Sequence, residues 1–258
     1  MNEGNAVDET LEITDSVGPY MVYSAGGLFT QDELATNVLI KEAVWRLSNG
    51  KFQLHLPQSV ELQELDRPDV EAYLRNVDLL AVVKSDIILA RFDGLDLESG
   101  TVVEFAMAKY LGKPAVILRC DFRRSSGTGL SEPFNLMVKN WPRTVNVHLN
   151  SYVLWSGLFS EERQLLRHSS RQALDEDDPF QDTMKAELGT IQKSVDEIAK
   201  QVVAGLEEVI RMKSPYPPEY QEAIYKAVRF SPGSGFDQLL TERDLDEIIQ
   251  RLRNNGTL

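Results

Sequence analysis

Apolar residues at Leu34, Val38, Leu39, Ala43, Val44 and Leu47 recur at helical spacing, predicting a helix from Gln31 to Leu47. Ahead of it, Tyr20-Met-Val-Tyr23 reads as a short strand. It closes at Ser24-Ala-Gly-Gly27, a sharp turn where glycines permit positive φ and the close approach of a ligand. Gln53-Leu-His-Leu56 is a second strand, ended by Pro57. A second helical stripe, Val70, Tyr73, Leu74, Val77, Leu80 and Ala81, predicts a helix from Asp69 to Val83. The apolar run from Ile87 to Phe92 is expected of a strand buried on both faces of a parallel sheet. A helix from Thr101 to Leu111 follows, with Gly112 as its C-cap and Pro114 beyond, and Ala115-Val-Ile-Leu118 is a further buried strand.

The alternation β-α-β-α-β-α-β, over roughly 120 residues, predicts an α/β fold. Its architecture is a doubly wound (flavodoxin-like or Rossmann-like) parallel sheet with helices on both faces. Ligands of such sheets bind outside the carboxyl ends of the strands. After Phe159 the pattern changes. A polar, acidic connector runs from Arg171 to Phe180. Met184, Leu188, Ile191, Val195, Ile198, Val202, Leu206 and Val209 then recur three and four apart, as in one long amphipathic helix broken by Pro215-Tyr-Pro-Pro218. Thr241-Glu-Arg-Asp244 opens a last helix through Leu252 with a capping box. The expected organisation is an acidic tail over 1–18, an α/β domain over 19–159, and a helical C-terminal extension over 160–258.

The 258 residues suffice for one sizeable core with an appendage, or for two small domains. A formal charge of −13 argues against binding a nucleic-acid polymer, which needs a concentrated basic surface. No apolar run approaches the roughly 18 residues of a membrane span. The acidic start, Met1-Asn-Glu-Gly-Asn-Ala-Val-Asp-Glu-Thr, lacks the basic and apolar character of a signal peptide, so a cytoplasmic protein is expected. The single Cys120 excludes an intramolecular disulfide framework.

The candidate chemistry lies at Glu98-Ser-Gly-Thr-Val-Val-Glu104-Phe-Ala-Met-Ala. Two carboxylates six residues apart bracket a small Ser99-Gly100 turn with no basic residue between them. Glu104 lies among Val102, Val103, Phe105 and Met107, where an idle carboxylate is costly. Near the first turns of a helix it feels the positive dipole end, which favours its ionised form. Glu98 taken singly reads more simply as a surface group that complements the helix dipole.

Four stretches make residues 20–145 resemble the nucleoside 2-deoxyribosyltransferase family. They are Val22-Tyr-Ser-Ala-Gly-Gly-Leu-Phe-Thr30, Asn76-Val-Asp78, Glu98 to Ala108, and Pro133-Phe-Asn-Leu-Met137. The helical C-terminal region has no counterpart in the compact members. The resemblance implies transfer of 2-deoxyribose between nucleobases through a covalent glycosyl-enzyme, with retention and without metal or organic cofactor. Glu104 falls at the nucleophile position, Asp78 at an aspartate over the base, and Tyr23 at a tyrosine that orients the nucleophile. Glu98 stands where the family usually has Asp. Gly26, Gly27, Phe29, Ser99 and Gly100 fall among substrate-binding positions. Asn135 and Met137 match residues that reach a neighbouring subunit's site, implying a homo-oligomer. The expected partners are deoxynucleosides and free nucleobases, with no membrane.

Related deoxynucleoside-monophosphate hydrolases share the fold and nucleophile, and commonly place hydroxyls and arginines near the first loop. This chain has no Arg or Lys there until Lys41, which favours nucleosides, although Arg119, Arg123 and Arg124 offer phosphate contacts from another loop. The alternatives are an N-glycoside hydrolase and a non-catalytic nucleotide-sensing protein, since fold does not fix function. Other signals are bland. The glycines do not form G-x-G-x-x-G, and Ser99 lies outside G-x-S-x-G. His55, His148 and His168 lack ligand-like spacing, and Cys120 reads as an inert core thiol. Arg123-Arg-Ser-Ser-Gly-Thr-Gly129 reads as a loop or a lid.

Overall fold

Five strands, among the described residues, form one parallel sheet. They are β1 (Tyr20–Ala25), β2 (Phe52–His55), β3 (Ile87–Arg91), β4 (Ala115–Arg119) and β5 (Thr144–His148). Their order is β2-β1-β3-β4-β5. The structure is a computed structural model that describes residues 18–59, 66, 68–94, 96–121, 135–173, 179–231 and 235–258. The expected acidic tail up to residue 17 and the 123–129 loop lie outside the described residues.

Helices α1 (Gln31–Leu47), α2 (Val70–Lys84), α3 (Ser99–Tyr110), α4 (Ser151–Ala173) and α5 (Pro179–Val209) connect or cover these strands. Strand side chains alternate between faces. Tyr20, Val22, Phe52, Leu54, Ile87, Leu89, Val116 and Leu118 meet Ile40, Ala43 and Val44 of α1, and Val195, Ala199, Val202, Leu206 and Val209 of α5. On the opposite face Tyr23, Ala25, Ile88, Ala90 and Ile117 meet Val82 of α2 and Phe105 and Ala108 of α3. Each fully buried large side chain contributes roughly 1.5–3 kcal/mol, so both layers are integral to stability.

One feature differs from the sequence expectation. Strand β5, Thr-Val-Asn-Val-His, is an addition: its two valines give too short an alternation to stand out. The C-terminal region is helical as expected; position 159/160 lies along α4, and α5 packs on one face of the sheet. The stripe of α5 faces the sheet from Val195 to Val209, where Gly205 lets the helix approach Val116 and Val145 closely, while Met184, Leu188 and Ile191 are exposed.

Three more helices, α6 (Pro218–Val228), α7 (Phe236–Leu239) and α8 (Glu242–Asn254), form an outer layer. Tyr225, Phe236, Leu240, Leu245, Ile248, Ile249 and Leu252 pack on Leu79, Leu80 and Val83 of α2 and on Met107 and Leu111 at the end of α3. The capping box at Thr241 is present, with Asp244 accepting from the Thr241 N–H at 2.9 Å. Gly112 follows α3 at φ +74°, as its C-cap position requires.

This outer layer is tied to the sheet through Asp86, which is fully buried just before β3. Its carboxylate accepts from the Met21 N–H at 2.8 Å, Arg251 at 2.7 Å, Asn255 at 3.0 Å and Thr257 at 3.2 Å. Arg251 also donates to the Lys84 carbonyl. Arg143 donates to the carbonyls of Gly112 and Thr257, both at 3.0 Å. Helices α2 and α3, which carry Asp78 and Glu104, are thus fixed by the sheet on one side and by α6–α8 on the other.

Candidate active site

The strand order reverses between β1 and β3, and the carboxyl ends of strands at such a reversal are where open α/β sheets bind ligands. Tyr23 of β1, fully buried, points to the α2–α3 side and donates its O–H to Oε1 of Glu104 at 2.6 Å. Glu104 occupies the middle of α3, one position before buried Phe105, which packs edge-on against Phe92 with ring centroids 5.9 Å apart. Asp78 lies one turn before Val82 on α2 and reaches the same face.

The three groups form a negatively charged, partly dehydrated cluster. Burial pushes the Glu104 carboxyl up to about 7; the Tyr23 hydrogen bond opposes the rise, and the charges of Asp78 and Glu98 add to it. Burial likewise pushes Asp78 up to about 6. The Tyr23 phenol is raised far above its ordinary range by burial, then by Glu104 and Asp78, and stays protonated as a donor. Two carboxyls that titrate near neutrality can divide the roles of nucleophile and proton donor.

Glu98 has a different occupation. It is the N-cap of α3, accepting from the Gly100 N–H at 2.8 Å, from the Thr101 N–H, and from the Thr101 hydroxyl at 2.8 Å. Burial works against its charge, but the Thr101 and Gly100 N–H groups outweigh it and hold the carboxyl below its ordinary value. Ser99 and Gly100 are therefore the first helical residues of α3 rather than an open turn.

At the glycine turn the physical reason also changes. Neither Gly26 nor Gly27 lies at positive φ. A Cβ on Gly27 would meet Oε1 of Glu33 at 2.1 Å, and one on Gly26 would stand 3.3 Å from Cβ of Arg91. At Gly27 a Cβ would displace the Glu33 carboxylate, while at Gly26 Arg91 would have to give only slightly. Glu33 accepts from the N–H groups of Phe29 at 2.9 Å and Thr30 at 3.0 Å, within a Thr30–Glu33 capping box. Asn37 ties the Gly27 carbonyl, at 3.2 Å, to Gln58, at 2.8 Å. The Thr-x-x-Glu spacing before α1 is a readable signal for Glu33, whereas the pairing of Asn37 with Gln58 needs the fold.

Phe29 is 73% exposed on this loop. Asn135 caps, and Met137 lies within, a single 3-10 turn (Leu136–Val138) packed against α3, and the Asn135 side chain accepts from the Met137 N–H at 2.9 Å. Leu136 and Met137 are 61% and 73% exposed, so their apolar surface faces outward from this chain. Arg119 is buried, donating to the carbonyls of Phe92 at 2.8 Å and Gly94 at 2.9 Å, and so braces the loop after β3. Arg123 and Arg124 lie outside the described residues. Burial pushes the Cys120 thiol up to about 12. No cluster of metal-ligating side chains occurs among the described residues, and no described helix is long and apolar enough to cross a membrane.

Comparison with known proteins supplies a context for this geometry. Residues 22–137 match the sequence model of the family described as nucleoside 2-deoxyribosyltransferase, a segment that holds Tyr23, Asp78, Glu98 and Glu104. No curated protein matches the chain significantly. Among solved structures, a conserved protein from Enterococcus faecalis is 23% identical, with a TM-score of 0.40 over 53% of this chain and 94% of its own. A 2-desoxiribosyltransferase from Leishmania mexicana is 22% identical, with a TM-score of 0.39 over 49% of this chain and 90% of its own. A 2-deoxyribosyltransferase from Bacillus psychrosaccharolyticus is 20% identical, with a TM-score of 0.39 over 52% and 88%.

Proposed function

We propose that this chain, whose residues 22–137 match the nucleoside 2-deoxyribosyltransferase family model, transfers 2-deoxyribose between nucleobases with Glu104 as nucleophile. The observation that carries the proposal is the Tyr23–Glu104 hydrogen bond at the carboxyl end of β1, with Asp78 in electrostatic reach. A hydroxyl that donates to one carboxylate oxygen fixes the plane of the group and leaves the other oxygen for the anomeric carbon.

In the first step the free oxygen of Glu104 attacks C1′ while the C1′–N bond breaks and its electron pair passes to the departing base. Asp78, protonated in part because its carboxyl titrates near 6, gives the base a proton. In the second step a nitrogen of the incoming base attacks C1′, the ester C–O bond breaks, and the acceptor's proton passes to Asp78. Two inversions give retention, as in retaining glycosidases. The concentration of carboxylates suits a transition state in which positive charge grows on the sugar.

The Glu98 carboxylate holds the start of α3, and its charge keeps Glu104 from ionising too early. Phe29, with Gly26 and Gly27 behind it, forms a wall on which a base can stack. The outward surface of Asn135, Leu136 and Met137 suits a second copy of the chain, whose site those residues would complete in a homo-oligomer. In this reading the sugar lies against the N-terminal part of α3, Ser99 and Gly100 included.

The deciding experiment incubates the protein with deoxyinosine and free adenine and follows the products by chromatography. Deoxyadenosine is the expected product. Free deoxyribose and hypoxanthine alone would instead mean that water takes the sugar. Binding without turnover across nucleosides would mean a sensor.

A further inference from the structure

We infer that His55 is a positioning residue of the proposed reaction, holding the Tyr23 ring so that its hydroxyl meets Glu104. The inference rests on the reading of Glu104 as the nucleophile. His55 is the last residue of β2 and pairs in register with Tyr23 on parallel β1. Register partners on adjacent strands project to the same face. The imidazole therefore lies along the tyrosine, ring centroids 5.9 Å apart and planes 25° from parallel.

Tyr23 is gripped unevenly. Its inner side meets the apolar cluster of Ile88, Val82 and Phe105, which fixes depth but offers no direction to a hydroxyl. Its outer side meets His55, which is open to solvent beyond the stack. The phenolic oxygen lies on the axis of the terminal torsion, so only a swing about the first side-chain torsion displaces it, and a ring stacked on the tyrosine restrains that swing. The restraint keeps the phenol 2.6 Å from Glu104.

An imidazole meets the needs of this position. Its face stacks like an aromatic ring, while its nitrogens tolerate the water at the rim. Burial, then the charge of Lys41 on α1, lowers its titration below the ordinary value, so it stays neutral at physiological pH. A neutral ring leaves the balance on Glu104 to Tyr23 of β1, Asp78 of α2 and Glu98 at the head of α3. Of these, only the Tyr23 hydrogen bond favours the ionised carboxylate.

The test compares wild type, His55→Ala and His55→Phe in the transfer assay from pH 5 to 9, with kcat and KM resolved. In parallel, the Glu104 carboxyl is titrated by carbon NMR, assigned by the signal lost in Glu104→Gln. His55→Ala is expected to lower kcat about tenfold, the weight of one charge-assisted hydrogen bond, with KM within about twofold. The Glu104 titration should move up by about one pH unit, and with it the alkaline limb, which follows Glu104 because its value of about 7 lies above that of Asp78 at about 6. His55→Phe, which restores the stack, should return both toward wild type. An Ala variant with wild-type kcat and limb would overturn the inference. So would a Phe variant no better than Ala, because the imidazole would then act through its own chemistry. Should wild type transfer no sugar, the proposed reaction fails, while the carboxyl titration still decides whether His55 governs the Tyr23–Glu104 bond.

Discussion

Replacing Glu104 by Gln should abolish transfer and yet stabilise the protein, with a pH dependence that exposes the cause. The Glu104 carboxyl moves from an ordinary 4.5 to about 7 in the folded chain, mainly through burial. That difference corresponds to about 3 kcal/mol of preference for the protonated form. A group whose folded value lies above its unfolded value is best accommodated below the unfolded one. Its contribution is therefore lost as pH rises from 4.5 through 7. The amide of Gln is neutral throughout and can still accept from Tyr23. Urea denaturation should then show Glu104→Gln more stable than wild type by up to about 3 kcal/mol at pH 8, and by less than about 1 kcal/mol at pH 5. Equal stabilities at pH 8, or the same gain at both pH values, would mean that the carboxylate is well hydrated. The description of the site would then be wrong.

Other substitutions probe the remaining parts. Tyr23→Phe keeps the ring but removes the donor; kcat should fall about 10- to 100-fold and the alkaline limb of the pH profile, which follows Glu104, should rise, readable from initial rates. Wild type itself should show a narrow maximum between about pH 6 and 7, since Glu104 must be ionised and Asp78 protonated; a flat profile from pH 5 to 9 would contradict that division. Glu98→Ala should cost about 1 kcal/mol of stability through loss of the α3 cap, measured by denaturation, while Glu98→Asp should recover most of it. Asp86→Ala should cost about 3–5 kcal/mol, because the Arg251 guanidinium and the Asn255 and Thr257 donors lose their shared buried acceptor; a thermal melt unchanged within error would refute the tie between α8 and the sheet.

The alternation of buried strands and amphipathic helices from Tyr20 to Leu118 was legible because such runs carry strong local periodicity. Helix α1 agrees with its expected range, Gln31 to Leu47. Strand β5 was not legible: it spans five residues, and its valines are covered by α5 from another part of the chain. The surface on which α5 packs was not legible either. A helical stripe says that one face is buried, but not against what. Glu98 was readable as a group complementing a helix start and Glu104 as a carboxylate among apolar neighbours, but the partners of neither were. Six positions along α3 leave one carboxylate on its own backbone and the other on a tyrosine from β1.

By itself, then, the sequence determined the layers, the direction of the strands and which helix carries Glu104, since these follow from side-chain spacing along a single segment. Tertiary structure decided that Tyr23, His55, Asp78 and Glu104 meet, since they come from four segments and only the order of the strands brings them to one rim. It also decided the proton affinity of Glu104, which depends on how much water the packed helices exclude and on charges distant in the chain.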